Sequence, residues 1–198
     1  MYFYAMKKYL LLFGSILLLA VSCKSKKAAE NESFFPVLSF LKSQVAHIDT
    51  TIYPLMKIVT VDSVSDTSYI KREEFNTYAN DFLSIPDISS DKLKNEYTES
   101  KMFEETLKRA IIDYTPKNNS TAEIRREEVM IAPGSETSNE VQSIIIDRVI
   151  NKGDSTVQKK MLWQVNKRFQ IVTIVQKPAQ PDKISTTQII WNDFPSTQ

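Results

Sequence analysis

The sequence predicts an α+β fold, with two N-terminal helices packed on an antiparallel meander sheet of five or six strands. Three observations lead there. Apolar residues recur at three- and four-residue spacing over 34–48 and again over 70–83, the period of one buried helical stripe. From residue 122 onward, segments rich in Ile, Val, Thr and aromatic residues are separated by turn residues, the pattern of successive strands. The connections are too short for crossovers, so consecutive strands pair as antiparallel neighbours. A single-layer sheet has an apolar face that must be covered, and the two helices are the available cover.

Each element has its own signal. Ser33 stands where it can cap a helix beginning at Phe34, with Pro36 in the first turn, where a missing N–H is not felt. Phe34, Val37, Leu38, Leu41, Val45 and Ile48 form its stripe. A short strand is expected at Lys57 to Val64, followed by a second helix from Ile70 to Leu83 through Phe75, Tyr78, Ala79, Phe82 and Leu83, ended by Pro86. Residues 102–114 fit a helix through Phe103, Leu107, Ala110, Ile111 and Tyr114. They also fit an edge strand before Pro116, which is the preferred reading. Strands then follow at 122–131, 141–150, 157–165, 169–176 and 186–191, with Pro133-Gly134, Asn151 to Asp154 and Asn166 to Arg168 as turns.

The first 33 residues read differently. Lys7 and Lys8 precede an apolar run of 13 residues, Tyr9 to Val21, and small Ser22 leads into Cys23. A charged start, a short apolar run and a small residue before a cleavage point are the parts of a secretory signal. A transmembrane helix needs about 20 apolar residues. Leu19-Ala20-Val21-Ser22-Cys23 resembles the lipobox of bacterial lipoproteins, although that class prefers Leu where Ala20 stands. The resemblance implies cleavage between Ser22 and Cys23, a diacylglycerol thioether on Cys23, and often acylation of the new amino group. It covers the targeting segment only. Two or more acyl chains, at about 0.8 kcal/mol per buried CH₂, hold a protein firmly on a bilayer.

The chain accordingly divides into a signal peptide at 1–22, a lipidated cysteine and tether at 23–33, and a single domain at 34–198. The tether, KSKKAAENES after Cys23, has no aromatic or β-branched residue with which to order itself. Lys24 stands where inner-membrane-retained lipoproteins of the best-known sorting system carry Asp, so the resemblance implies delivery to the outer membrane. The absence of an acidic export signal after Cys23 favours the periplasmic face.

The order of elements in the body resembles the helix-on-curved-sheet folds of the nuclear-transport-factor-like and lipoprotein-carrier-like kinds. The likeness is one of element order, and no motif or function comes with it.

Counting then removes most chemistry. The 198 residues carry 25 Lys+Arg and 24 Asp+Glu, a formal charge of +1, with one Cys, one His and three Gly. Loss of residues 1–22 takes away two lysines and leaves a net charge of −1, so neither nucleic acid nor anionic membrane is bound by bulk charge. Catalytic triads and dyads usually need a His base. The one candidate, His47, lies off the apolar stripe near a helix end, where it favours the dipole. Usual zinc sites and phosphate-cradling glycine loops lack their residues. The acid pairs Glu73-Glu74, Glu104-Glu105, Glu127-Glu128 and Asp62-Asp66 read as solvated surface charge, because adjacent acids diverge on a helix and face opposite ways on a strand.

The aromatic residues read as core: Trp163 and Trp191 on strands, and Phe34, Phe35, Phe40, Phe75, Phe82 and Phe103 on or beside helices. The expectation is therefore a non-catalytic envelope lipoprotein, with no catalytic, metal or cofactor residues, that binds a protein partner or joins an envelope complex. The alternative is a module for an apolar ligand or lipid, held in a hollow lined by these rings.

Overall fold

A computed structural model describes residues 33–106, 108–118, 121–133 and 139–194. The segments expected to be a signal peptide and a tether, with Cys23, lie before Ser33 and outside the described residues.

Helix α1 spans Val37–Asp49 and buries Val37, Leu41, Val45 and Ile48. It begins later than the sequence suggests. Pro36 holds the N-cap position with φ −81° and ψ 73° and no side-chain cap, so Ser33 is not the cap. The residue before a proline is biased away from helical backbone, which keeps Phe35 outside. The entry is fixed instead by Tyr114: the Phe35 N–H donates to its hydroxyl at 2.8 Å, and the Phe34 ring lies 4.6 Å from its ring.

Helix α2 spans Arg72–Leu83 and buries Phe75, Ala79 and Phe82. Glu73 and Glu74 occupy its first turn, where carboxylates favour the dipole, and Glu74 Oε2 accepts from the Lys71 N–H at 2.8 Å. Arg72 joins the two helices, donating to the Ile48 carbonyl at the end of α1 and to the Tyr53 carbonyl at 2.8 Å.

Among the described residues the sheet has nine strands, not five or six: β1 (Leu55–Val61), β2 (Val64–Ile70), β3 (Tyr97–Glu104), β4 (Arg109–Pro116), β5 (Ile124–Pro133), β6 (Asn139–Lys152), β7 (Ser155–Gln164), β8 (Arg168–Gln176) and β9 (Lys183–Ile190). Their order is β2-β1-β9-β8-β7-β6-β5-β4-β3. Every pairing is antiparallel. Strands β3 to β9 form the expected meander, and the β1–β2 hairpin closes onto β9.

The single strand expected at 57–64 is a hairpin whose turn residues, Asp62 and Ser63, both have positive φ (47° and 70°). That is the backbone of a type I′ turn. Ile70 ends β2 instead of opening α2, because Lys71, with ψ 153°, is still extended. The ambiguous stretch 102–114 belongs to two paired strands, β3 and β4, with Glu104 opposite Arg109.

One face of the sheet and the two helices enclose the core. Phe75, Phe82, Trp163, Phe169 and Trp191 form its centre, with Phe82 and Trp163 at 5.2 Å and Trp163 stacked on Phe169 at 5.5 Å. The segment after α2 adds Ile85 and Ile88. Arg148 and Lys159 pin the end of α2 to the sheet. Lys159 pairs with Asp81 at 2.5 Å, and Arg148 donates to the Ser84 carbonyl at 3.3 Å while pairing with Glu123 at 2.6 Å. A cation at a helix C-terminus meets the negative end of its dipole.

Candidate functional site

Strand alternation sends every second residue to the other face of the sheet, where none of the described helices lies and no residue joins the core cluster. Cross-strand register arranges that face in rows. One row crosses all nine strands: Thr67, Ile58, Gln188, Gln170, Leu162, Ile145, Glu128, Asp113 and Ser100 stand opposite one another in turn. The next runs Thr60, Thr186, Val172, Lys160, Asp147 and Arg126. An antiparallel sheet with one solvated face ordinarily turns polar residues outward. Here Ile, Leu and Val alternate with Gln and Thr, and most of these side chains are half-buried against their neighbours. Gln188 donates to Gln170 at 3.0 Å and Gln158 to Gln176 at 2.7 Å, which ties adjacent strands together.

At the β4–β5 side this face carries an ion cluster. Arg126 Nε donates to Asp113 at 2.6 Å, and Arg126 also pairs with Glu128. The hydrogen bond to Asp113, with the charges of Glu128 and Asp147, raises the guanidinium above its ordinary value against a smaller cost of burial. Glu128 is 4% exposed. Its charge is met in place, so the cluster is a fixed feature of the face.

Glu127 points the other way, into the core, and is 1% exposed. The reading of Glu127-Glu128 as solvated surface charge is therefore wrong at both residues. Adjacent residues of a strand face opposite ways, so one of the two had to turn inward, and a β-bulge decides which. Ile124 faces Arg148 and Arg126 faces Asp147, so Arg125 is an extra residue that inverts the alternation and turns Glu127 inward. Between Tyr114 on β4 and Ile146 on β6, its Oε1 has no hydrogen-bond partner among the described residues. Burial first, and the charge of Asp87 second, push its carboxyl up to about 8. A buried acid is tolerated in the neutral form far more cheaply than as a charge. Tyr97 is pushed up to about 12, chiefly by burial and then by Glu127.

The other candidate residues stay apart. His47 is exposed in the last turn of α1, beside a small cavity of about 260 Å³ with Tyr53, Asn166 and Trp191 in its wall. Glu73, Glu74, Glu105, Asp62 and Asp66 are exposed and Glu104 is half-buried. Phe103 lies on edge strand β3, 56% exposed, not beside a helix. Among the described residues no group of three or more His, Cys, Asp or Glu is placed to hold a metal ion, and no helix is long and apolar enough to cross a membrane. Ser22, Cys23 and the Gly134 turn lie outside the described residues. The chain matches no protein-family model, no curated protein and no solved structure.

Proposed function

We propose that the protein is a lipid-anchored lipoprotein of the cell envelope, held through Cys23 at the outer membrane facing the periplasm, whose body is a non-catalytic protein-binding module. The observation that supports this is the asymmetry of the sheet. One face is closed by α1 and α2 over a ring-packed core, and the other carries rows of Ile, Leu and Val between Gln and Thr with no described helix over them. Such a face offers apolar contact and side-chain amides together, the mixture found across protein interfaces. The ring contacts of 5.2–6.5 Å among Phe75, Phe82, Trp163, Phe169 and Trp191 favour this reading over a module for an apolar ligand held among those rings.

The test is site-specific photo-crosslinking in intact membranes, with the probe placed in the full chain at Leu162 or Val172 and, as a control, at exposed Thr77 on α2. A protein adduct of one defined mass from both sheet positions and none from Thr77 is expected. Adducts only to lipid, or equal labelling from Thr77, contradict the proposal.

A further inference from the structure

Among the described residues, β3 pairs on one side only, with β4. It runs from Tyr97 to Glu104 in unbroken register, without a bulge or a proline. Edge strands usually carry such devices because their free N–H and C=O groups otherwise template another strand. Met102 and Phe103, on opposite faces of this edge, are 54% and 56% exposed. Lys101 is the one cation on the strand, and it pairs with Glu99 at 2.7 Å within the same edge.

We propose that β3 pairs antiparallel with β3 of a second copy about a two-fold axis at Ser100, joining the two sheets edge to edge. Within YTESKMFE the opposite charges at 99 and 101 favour this register. With Ser100 opposite its own copy, Glu99 faces Lys101 and Lys101 faces Glu99, Thr98 faces Met102, and Tyr97 faces Phe103. Opposite charges and aromatic pairs placed directly across a strand pair are stabilising, and like charges there are destabilising. A slip by two in one direction sets Lys101 against Lys101; a slip by two in the other sets Glu99 against Glu99. A slip by one sets the outward N–H and C=O groups of each strand opposite residues whose own groups already pair with β4. The pairing is isologous, so it closes at two copies.

The test uses the full chain in its own membranes, oxidised with copper phenanthroline and read on non-reducing gels, with the wild type, whose one cysteine is Cys23, as baseline. Directly opposite residues in an antiparallel pair lie about 4.5–5.5 Å apart, within disulfide reach. Ser100→Cys is therefore expected to form a dimer. Thr98→Cys alone and Met102→Cys alone are not, because each lies about 13 Å from its own copy in this register. Co-expression of the two restores a crosslink. All three positions are exposed, so folding is not at stake. Lys101→Glu added to Ser100→Cys is expected to lower the crosslinked fraction about fivefold. The pairing is overturned if Ser100→Cys stays at baseline, if Thr98→Cys alone crosslinks as well as Ser100→Cys, or if Ser100→Cys crosslinks to a different protein.

Discussion

Replacing Glu127 with Gln removes a buried carboxyl from the core while keeping its shape, and the consequence is a change in how stability depends on pH. In the folded chain the carboxyl is held at about 8, above the 4.5 of a free glutamate. Below 4.5 both folded and unfolded chains carry the proton, and its full contribution to stability is present. Between 4.5 and 8 the unfolded chain has released the proton and the folded chain has kept it. The wild type therefore loses about 1.4 kcal/mol per pH unit relative to the variant, a total on the order of 5 kcal/mol. Above 8 both states are ionised and the difference is constant. The Gln amide carries its own unpaired hydrogen-bonding groups into the site, but that offset does not change with pH. Urea unfolding of both proteins at pH 5, 6, 7, 8 and 9, extrapolated linearly, measures the difference. The two curves should draw apart steadily from pH 5 to 8, with the wild type falling behind, and run parallel from 8 to 9. Parallel curves over the whole range, or a wild type that gains on the variant as pH rises, would refute the reasoning.

Trp163→Ala empties the centre of the ring cluster and is expected to cost about 4 kcal/mol, read as a lowered midpoint in thermal or urea unfolding; a loss below about 1 kcal/mol would contradict the core assignment. A fragment covering residues 33–198 should unfold in one cooperative transition, because the sequence of 24–32, KSKKAAENE, has no aromatic or β-branched residue to lend to a core; aggregation with loss of that transition would place the boundary elsewhere. Screened against esterase, phosphatase, peptidase and glycosidase substrates, the protein should show no turnover above background. Robust turnover lost in His47→Ala would replace the binding reading with a site at the end of α1.

The helices were legible because Val37, Leu41, Val45 and Ile48, and Phe75, Ala79 and Phe82, are buried at helical spacing in both sequence and structure. Strands β5 to β8 were legible through their Ile, Val and aromatic runs. What escaped was polar or set by backbone geometry. Strand β2, VSDTSYI, is largely exposed and has no apolar stripe to announce it, and its turn uses Asp62-Ser63 in place of the Asn-Gly that marks a type I′ hairpin. Strand β3 has one fully buried residue, Tyr97, and the turn after it places Lys108, a non-glycine, at φ 48°. Glu127 and Glu128 were misread because one strand face is closed by the core and the other by the Arg126 cluster, and which acid turns inward is set by a bulge at Arg125 that no residue type at 124–126 signals. The mixed outer face of the sheet was invisible for a related reason. Its rows exist only once the register between strands is known.

The proposed role stands on Cys23, and the mass of the N-terminal peptide of the mature protein tests it most directly. A peptide beginning at Cys23 and carrying a diacylglycerol thioether is expected, with detergent needed to release the protein from membranes. A peptide that keeps residues upstream of Cys23, or one that begins at Cys23 with an unmodified thiol, would contradict it.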